Sequence, residues 1–236
     1  MNNNLNPLIS KTLPKLAKSS LLGLICLSGH ANATTTTFTD SASFFAALPG
    51  SSSTQDFEGI PALTLIPDGS KLDDITYTSN VREGDLSVSN FTVTTSGKNS
   101  LGGFENVFSS GDEVNFGFSD PVQAFGLFVI SSSGDVLEND LQLAAGGNSV
   151  FNLTKPERTL ADGGDVFFLG LIDTDGFSDA QLLSFGDPDN PFFNFNVDDV
   201  TSATTVVPLP SSILFFSSGL FALARKWHSE KPHKFS

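Results

Sequence analysis

Residues 114–118 read Val-Asn-Phe-Gly-Phe, and residues 193–197 read Phe-Asn-Phe-Asn-Val. In both stretches apolar side chains alternate with Asn or Gly, which is the period of a strand that buries one face and exposes the other. Between residues 38 and 203 the chain consists of short apolar runs separated by Gly, Pro, Ser and Asp. This pattern indicates many short strands joined by turns. We therefore predict an all-β fold, an antiparallel β-sandwich or jelly roll.

One short helix and ten strands are predicted within this domain. Asp40 is placed to cap a helix over residues 41–48, which Pro49 and Gly50 end. The predicted strands cover residues 54–59, 75–79, 86–95, 113–118, 122–131, 140–145, 149–153, 166–172, 180–185 and 192–200. Ten strands of this length require two packed sheets.

Charge and residue usage exclude several function classes. Residues 34–208 contain 25 Asp and Glu against five Lys and Arg, a net charge of −20, so nucleic acid is not an expected partner. The three histidines, His30, His228 and His233, and the one cysteine, Cys26, all lie outside this region. The domain therefore lacks the residues for Ser-His-Asp or Cys-His catalysis and for histidine-ligated zinc. The 23 Phe residues against one Tyr and one Trp predict a phenylalanine core.

The N-terminus has the three parts of a secretory signal. Residues 11–18 carry three lysines, residues 21–27 form a short apolar run, and Ala31 and Ala33 provide small residues before Thr34. We expect signal peptidase to cleave before Thr34. A membrane anchor that stays attached is the alternative, but the apolar run is shorter than the roughly 20 residues that a span needs. Residues 34–37 are expected to be a disordered mature N-terminus.

The C-terminus has a proline-rich motif, an apolar segment and a basic end. The motif is Val207, Pro208, Leu209 and Pro210. The segment over residues 213–224, followed by a basic stop, comprises Ile213, Leu214, Phe215, Phe216, Gly219, Leu220, Phe221 and Leu223, then Arg225 and Lys226. This string resembles the PEP-CTERM family of C-terminal sorting signals in its VPLPA variant, with Ser211 in place of the final Ala.

The resemblance implies a protein of a Gram-negative bacterium that is anchored transiently in the inner membrane. An exosortase would then cleave near the VPLP motif and leave the protein at the cell surface or in the extracellular matrix. The implied organisation is a signal peptide (1–33), a sandwich domain (38–203), a linker (204–212), a hydrophobic helix (213–224) and a basic cytoplasmic tail (225–236). An ordinary C-terminal membrane anchor meets the same physical requirements and stays open as an alternative.

The middle of the chain also resembles a jelly-roll passenger domain of such sorted proteins, akin to carbohydrate-binding modules and other galactose-binding-like sandwiches. Residues 56–58, 121–126, 168–170 and 196–200 carry this likeness. It implies a structural Ca²⁺ held by Glu58 together with Asp198 and Asp199, since Ca²⁺ takes six to eight oxygen ligands. The alternative is that Asp198 and Asp199 form a polar strand end.

Three functions follow from these observations. The first is a non-catalytic envelope or matrix protein that contacts extracellular polysaccharide in a biofilm or floc. The second is a lectin-like module that binds one defined glycan. The third is a glycosidase with a carboxylate pair, for which the candidate acids are Glu58, Glu105, Glu113, Glu138 and Glu157.

Overall fold

The computed structural model describes residues 34–81, 85–132, 134–186 and 192–205. Within these ranges the chain forms fourteen strands and one helix. They are β1 (Thr35–Phe38), α1 (Ser41–Ala47), β2 (Ser51–Gln55), β3 (Leu65–Ile66), β4 (Ser70–Leu72), β5 (Ile75–Ser79), β6 (Leu86–Ser89), β7 (Ser100–Gly102), β8 (Phe108–Ser109), β9 (Glu113–Ser131), β10 (Leu141–Ala145), β11 (Asn148–Phe151), β12 (Arg158–Thr159), β13 (Asp165–Ser184) and β14 (Asn194–Thr204).

Two long antiparallel strands, β9 and β13, run through both layers of the domain. Residues 124–131 of β9 pair with residues 165–172 of β13 on one side and with β14 on the other. Residues 113–118 of β9 instead pair with β5 and with the second half of β13, which also pairs with β10. The register shifts between Ile172 and Asp179, where the partners change. The described residues therefore form an antiparallel β-sandwich with one short helix, which confirms the predicted fold class.

The second half of β9 is buried on both faces. Because successive side chains of a strand point to opposite sides, one set lies in the main core between the layers: Phe125, Leu127 and Val129. The alternate set lies in a second cluster on the outer face: Ala124, Phe128 and Ile130. This double burial explains why residues 124–130 read as a continuous apolar run rather than an alternating one.

Helix α1 covers this outer face. The Asp40 side chain accepts a hydrogen bond from Ser43 N at 2.8 Å, as the sequence predicts for an N-cap. The buried ring of Phe44 packs against Phe168, with 5.1 Å between ring centroids. The helix ends at Ala47, one residue earlier than predicted.

Several predicted boundaries are wrong. Residues 34–37 were expected to be disordered, but Thr35–Phe38 form β1 because the strand pairs with residues 170–173 of β13. The predicted strand over residues 86–95 ends at Ser89, and the remainder forms a loop. The two strands predicted over 113–118 and 122–131 are one continuous strand, β9.

The segments predicted to be a signal peptide and a sorting signal lie outside the described residues. This applies to the cleavage-site residues Ala31 and Ala33, to the motif over 207–210 and to the hydrophobic segment with its basic end over 213–226. Within the described ranges, no helix has the length and apolar character needed to cross a membrane.

Candidate functional site

The segment of residues 90–99, here called the 90–99 loop, connects β6 to β7. It reads Asn-Phe-Thr-Val-Thr-Thr-Ser-Gly-Lys-Asn, a composition typical of loops. Backbone N–H groups outside the sheet ladder need other acceptors. In this loop, the carboxylates of Asp162, Asp198 and Glu58 accept from several of them.

Asp198 lies on β14 and its side chain is fully buried. Its Oδ2 atom accepts hydrogen bonds from Thr95 N at 2.8 Å and from Thr95 Oγ1 at 2.6 Å, and contacts Ser96 N at 3.2 Å. Its Oδ1 atom accepts from Asp199 N at 2.8 Å. Burial raises the pKa of Asp198 to about 6, and the neighbouring Asp199 charge adds to the rise, although the Thr95 hydrogen bonds oppose it.

Asp199 occupies an irregularity in β14, where pairing with β9 is interrupted between Asp198 and Thr201. Its φ of 47° lies in the left-handed region, which only a few residue types adopt readily. Burial raises the pKa of the Asp199 carboxyl; Asp56 contributes to the rise and Arg158 opposes it.

Thr95 Oγ1 contacts both carboxylates, Asp198 Oδ2 at 2.6 Å and Asp199 Oδ2 at 2.7 Å. A hydroxyl carries one proton and donates to one acceptor at a time. If both carboxylates are ionised, the Thr95 hydroxyl can donate to only one of them, and no hydrogen lies between Thr95 Oγ1 and the other. A proton on one carboxyl group satisfies that contact, and a bound cation would offset the mutual repulsion of the two charges.

Glu58 holds the other end of the loop. Its Oε1 atom accepts hydrogen bonds from Lys98 N and Asn99 N, both at 2.7 Å. Gly97 makes this contact possible, because a Cβ atom at that position would lie 2.6 Å from the Glu58 carboxyl carbon.

Asp162 fixes the beginning of the loop. Its Oδ2 atom accepts a hydrogen bond from Val93 N at 3.0 Å, and its Oδ1 atom accepts from Gly164 N at 3.1 Å. The hydrogen bond from Val93 N makes the largest contribution to lowering the pKa of Asp162, and the one from Gly164 N adds to it, because both favour the charged carboxylate. Carboxylates from three separate parts of the chain thus fasten one loop.

The three predicted calcium ligands contact the same loop but not the same point on it. Asp198 and Asp199 contact Thr95, whereas Glu58 contacts the backbone of Lys98 and Asn99. The residues that the structure describes include no group of three or more His, Cys, Asp or Glu side chains placed to hold a metal ion. Calcium binding at this loop stays a prediction.

Sequence reasoning missed Thr95 and Ser96 as partners of Asp198, and it missed Asp162 as a residue that fastens the 90–99 loop. The prediction of a strand over residues 86–95 is the reason, because residues 90–95 belong to the loop and not to β6. The run of Thr, Ser, Gly and Asn over residues 92–99 was the signal that indicated it.

A second feature is a surface with two grooves that share Val107, here called the Val107 surface. The first groove has a volume of about 400 Å³ and is lined by Thr92, Val107, Ile130, Ser131, Ser132, Asp162, Gly163, Gly164, Asn194, Phe195 and Asn196. The second has a volume of about 330 Å³ and is lined by Val81, Gly103, Phe104, Glu105, Val107, Ser109 and Asp112.

Exposed phenylalanines accompany these grooves. Phe91, next to the lining residue Thr92, is 69% exposed, and Phe104 in the second groove is 41% exposed. Ser109 Oγ donates to Asn194 Oδ1 at 3.1 Å and links the walls of the two grooves. Burial raises the pKa of Asp112 in the second groove.

The glutamates considered as catalytic acids contact different parts of the domain. Glu113 bonds Gln181 and Asn115, Glu138 accepts from Thr154 Oγ1 at 3.2 Å, and Glu157 accepts from Ser41 N at 3.1 Å. Glu58 fastens the 90–99 loop and Glu105 lines the second groove. Each of these five therefore has a separate local environment.

No protein-family model and no curated protein sequence matches the chain. Among solved structures, the chain is similar to two variants of the catalytic domain of a GH87 alpha-1,3-glucanase in complex with tetrasaccharides. Both comparisons give a TM-score of 0.29, 12% sequence identity and coverage of 60% of this chain. The match spans 29% of one glucanase chain and 30% of the other. A TM-score this low indicates neither a shared fold nor a shared activity.

Proposed function

We propose that this protein is an exported, non-catalytic envelope or matrix protein that contacts extracellular polysaccharide after processing by an exosortase. The predicted signals at the two ends of the chain support export and sorting. The observation that carries the polysaccharide contact is the Val107 surface.

The Val107 surface combines apolar and polar groups in a way that suits sugar rings. A pyranose has C–H groups on its faces and hydroxyls around its rim. Exposed Phe104 in the second groove offers a flat apolar face, and Ser131, Asn194 and Glu105 supply hydroxyl, amide and carboxylate groups. Phe91, exposed beside the lining residue Thr92, is a further aromatic group next to the first groove. Two adjoining grooves suit an extended chain better than a single sugar.

The charge of the domain narrows the class of polysaccharide. The net charge of −20 over residues 34–208 repels polyuronic acids. We therefore expect the partner to be a neutral polysaccharide or one that carries amino groups.

The surroundings of the acidic pair support a non-catalytic role. A glycosidase needs two carboxyl groups that both face the substrate. Asp198 is fully buried and its oxygens accept hydrogen bonds from Thr95, Ser96 and Asp199, so the loop occupies the place that a substrate would need.

The contact is tested by affinity electrophoresis of the mature protein in gels that contain a neutral glucan, a partly deacetylated hexosamine polymer or a polyuronate. We expect retardation by the first or second polymer and none by the third. Phe91→Ala and Phe104→Ala should each weaken retardation about tenfold, because an exposed aromatic anchor contributes on the order of 1 kcal/mol or more.

Phe151→Ala is the matched control for Phe104→Ala, since Phe151 on β11 is 39% exposed against 41% for Phe104 and does not line the Val107 surface. It should leave retardation unchanged. Equal effects of all three substitutions, or retardation by the polyuronate alone, would contradict the assignment.

A lectin-like module for one defined glycan is the second candidate. It is favoured by Thr92, whose buried Oγ1 has no hydrogen-bond partner within the described part of the chain and which lines the first groove. Saturable binding of a single short oligosaccharide, lost in Thr92→Val, would support this candidate over a general matrix contact.

Sorting is tested by intact mass of the protein from envelope and medium, with and without exosortase activity. A mature chain that begins at Thr34 and ends near Pro208 only when the exosortase is active supports the proposal. A chain that keeps residues 213–236 in both backgrounds supports the ordinary membrane anchor instead.

A further inference from the structure

Strand β1 begins one residue after the predicted signal-peptide cleavage site. Its register pairs Thr35 with Asp173 and Phe38 with Gly170 of β13. The first residue of the mature chain, Thr34, therefore lies at the end of a paired strand rather than on a free tail.

Thr34 and Thr35 form hydrogen bonds with residues of β13 and β11. Thr34 N donates to Thr174 Oγ1 at 3.1 Å, and Thr35 Oγ1 donates to Asp173 Oδ2 at 2.5 Å. Asn148 Nδ2 of β11 donates to Thr35 Oγ1 at 2.8 Å. The first two residues of the mature chain are thus hydrogen-bonded to Asp173 and Thr174 of β13.

Asp173 is a buried carboxylate, and among the described residues no cationic side chain forms an ion pair with it. Only 5% of its surface is exposed. Its Oδ1 atom accepts from Asp175 N at 2.9 Å and its Oδ2 atom from Thr35 Oγ1. In the described ranges the one ion pair joins Lys71 to Asp74. A buried charge is costly unless it is paired and hydrogen-bonded, and both of these donors are neutral.

We propose that signal cleavage before Thr34 creates an ammonium group that pairs with the Asp173 carboxylate and so locks β1 onto the sandwich. The inference rests on the export that the proposed function includes. It adds a structural role for the cleavage itself: the processed N-terminus becomes a cation at an acidic position of the fold.

The chemistry is a peptide hydrolysis. The oxygen of one water molecule bonds to the Ala33 carbonyl carbon, and the bond from that carbon to Thr34 N breaks. Both protons of the water end on Thr34 N, so Ala33 leaves as a carboxylate and the Thr34 amine becomes an ammonium with three N–H donors. One donor keeps the contact that Thr34 N makes with Thr174 Oγ1, and the others are available to carboxylates.

Locking β1 also secures helix α1. The ring of Phe38, the last residue of β1, lies 5.6 Å from the ring of Phe44 in an edge-to-face arrangement. Phe44 in turn covers the second hydrophobic cluster. A charge gained at Thr34 thereby stabilises the outer face of one sheet.

The test compares the processed protein with the same protein acetylated at the Thr34 amine, which keeps one N–H donor but removes the charge. Acetylation at slightly acidic pH modifies the α-amine ahead of lysines, and peptide mapping verifies this. We expect the acetylated form to melt about 2–4 °C lower at pH 6.5.

The pH dependence follows from the sign of the interaction. Asp173 is the charged group that contacts this end of β1, Asn148 of β11 is neutral, and β1 carries no charged side chain. The neighbouring Asp175 has an exposed side chain. A nearby carboxylate raises the pKa of an ammonium group. The stability that the Thr34 ammonium contributes is therefore complete below its pKa in the unfolded chain, about 8, and is lost as the pH rises past its pKa in the folded protein. The difference in Tm between the two forms should therefore close above about pH 9.

Variants separate charge pairing from a general effect of acetylation. In Asp173→Asn, acetylation should change the Tm less than in the parent protein. In Asp179→Asn, an exposed aspartate farther along β13, acetylation should keep its full effect. Equal Tm values for the free and acetylated parent overturn the ammonium pairing.

Intact mass of the purified protein distinguishes this failure from failure of the export proposal. A mature chain that begins at Thr34 but is insensitive to acetylation overturns the pairing alone. A chain that begins at another residue overturns both the pairing and the predicted processing.

Discussion

At the residue scale, acidic side chains fasten the 90–99 loop by accepting hydrogen bonds from it. Asp198 accepts hydrogen bonds from Thr95 and Ser96 although burial raises its pKa to about 6. Asp199 lies beside it and contacts the same Thr95 hydroxyl. These contacts fasten the loop, but they also place two like charges close together in a partly desolvated site.

The first prediction concerns this pair. A folded pKa above the unfolded value means that stability is present at low pH and declines as the pH rises through about 4 to 6. Asp199→Asn removes the like charge, supplies an N–H donor for Thr95 Oγ1 and suits the positive φ at this position. We expect it to flatten the decline and to raise the free energy of unfolding at pH 7.5 by about 1 kcal/mol.

Urea titrations of the parent and variant at several pH values, in the presence of a chelator, measure this effect. The same titrations with Ca²⁺ test the predicted calcium site. If Ca²⁺ bridges the carboxylates, it should stabilise the parent at neutral pH but not Asp199→Asn. If the free energy of unfolding of the parent increased from pH 5 to 7.5 in chelator, this would contradict the interpretation that Asp198 and Asp199 hold one proton between them.

The second prediction concerns Tyr77. Its ring packs between Phe57 and Phe116 in the main core, and its buried hydroxyl has no hydrogen-bond partner in the described ranges. Burial raises the pKa of this phenol, so it stays neutral. An unsatisfied buried polar group costs about 1–3 kcal/mol. Tyr77→Phe should therefore leave the free energy of unfolding unchanged or raise it by about 1 kcal/mol. A clear loss of stability in urea unfolding would show that the hydroxyl has a partner.

At the element scale, helix α1 depends on two facing glycines. Gly126 of β9 pairs with Gly170 of β13, and both lie beneath the aromatic rings of the second cluster. A Cβ atom at Gly170 would lie 2.8 Å from ring atoms of both Phe44 and Phe168. The absence of side chains at these two positions is what lets the helix approach the sheet.

The third prediction follows from this contact. Gly170→Ala should lower the free energy of unfolding by about 1–3 kcal/mol, because the added methyl group overpacks a dense cluster. Gly117→Ala is the matched control in a strand, since its Cβ atom would meet its nearest neighbour, in Thr76, at an ordinary 3.6 Å. Thermal unfolding of both variants measures the difference. Equal losses for the two substitutions would mean that the effect comes from the backbone and not from the contact with α1.

At the scale of the whole molecule, charge is the dominant property of the surface. The net charge of −20 over residues 34–208 sets carboxylates against one another across the sandwich. Such self-repulsion keeps a protein soluble but destabilises its compact state. Salt screens these interactions, with a Debye length of about 10 Å at 0.1 M.

The fourth prediction is that the Tm of the mature protein rises by several degrees between about 10 mM and about 0.5 M NaCl. Mg²⁺ at equal ionic strength should act similarly, because screening does not depend on a specific site. An additional rise with Ca²⁺ beyond that with Mg²⁺ would indicate a selective site. A Tm that is independent of salt would contradict the importance of self-repulsion.

The sequence by itself determined the features that depend on local chemistry. Alternation of Phe with Asn and Gly over residues 114–117 indicates a strand with one buried face, and Asp40 three residues before Ser43 indicates a helix start. The same alternation is misleading at Asn196, which is buried in β14. The absence of histidine and cysteine from residues 34–208 removes whole classes of catalytic site. These inferences need no knowledge of distant contacts.

Only the tertiary structure decided which distant segments meet. Thr95 reaches Asp198 across 103 residues, and Glu58 reaches Lys98 across 40, so neither contact has a local pattern. Strand β1 is ordered by pairing with residues 170–173, not by its own threonine-rich sequence. The physical reason is that the backbone N–H and C=O groups of a loop or an edge strand need hydrogen-bond partners, and the tertiary structure determines which residues provide them.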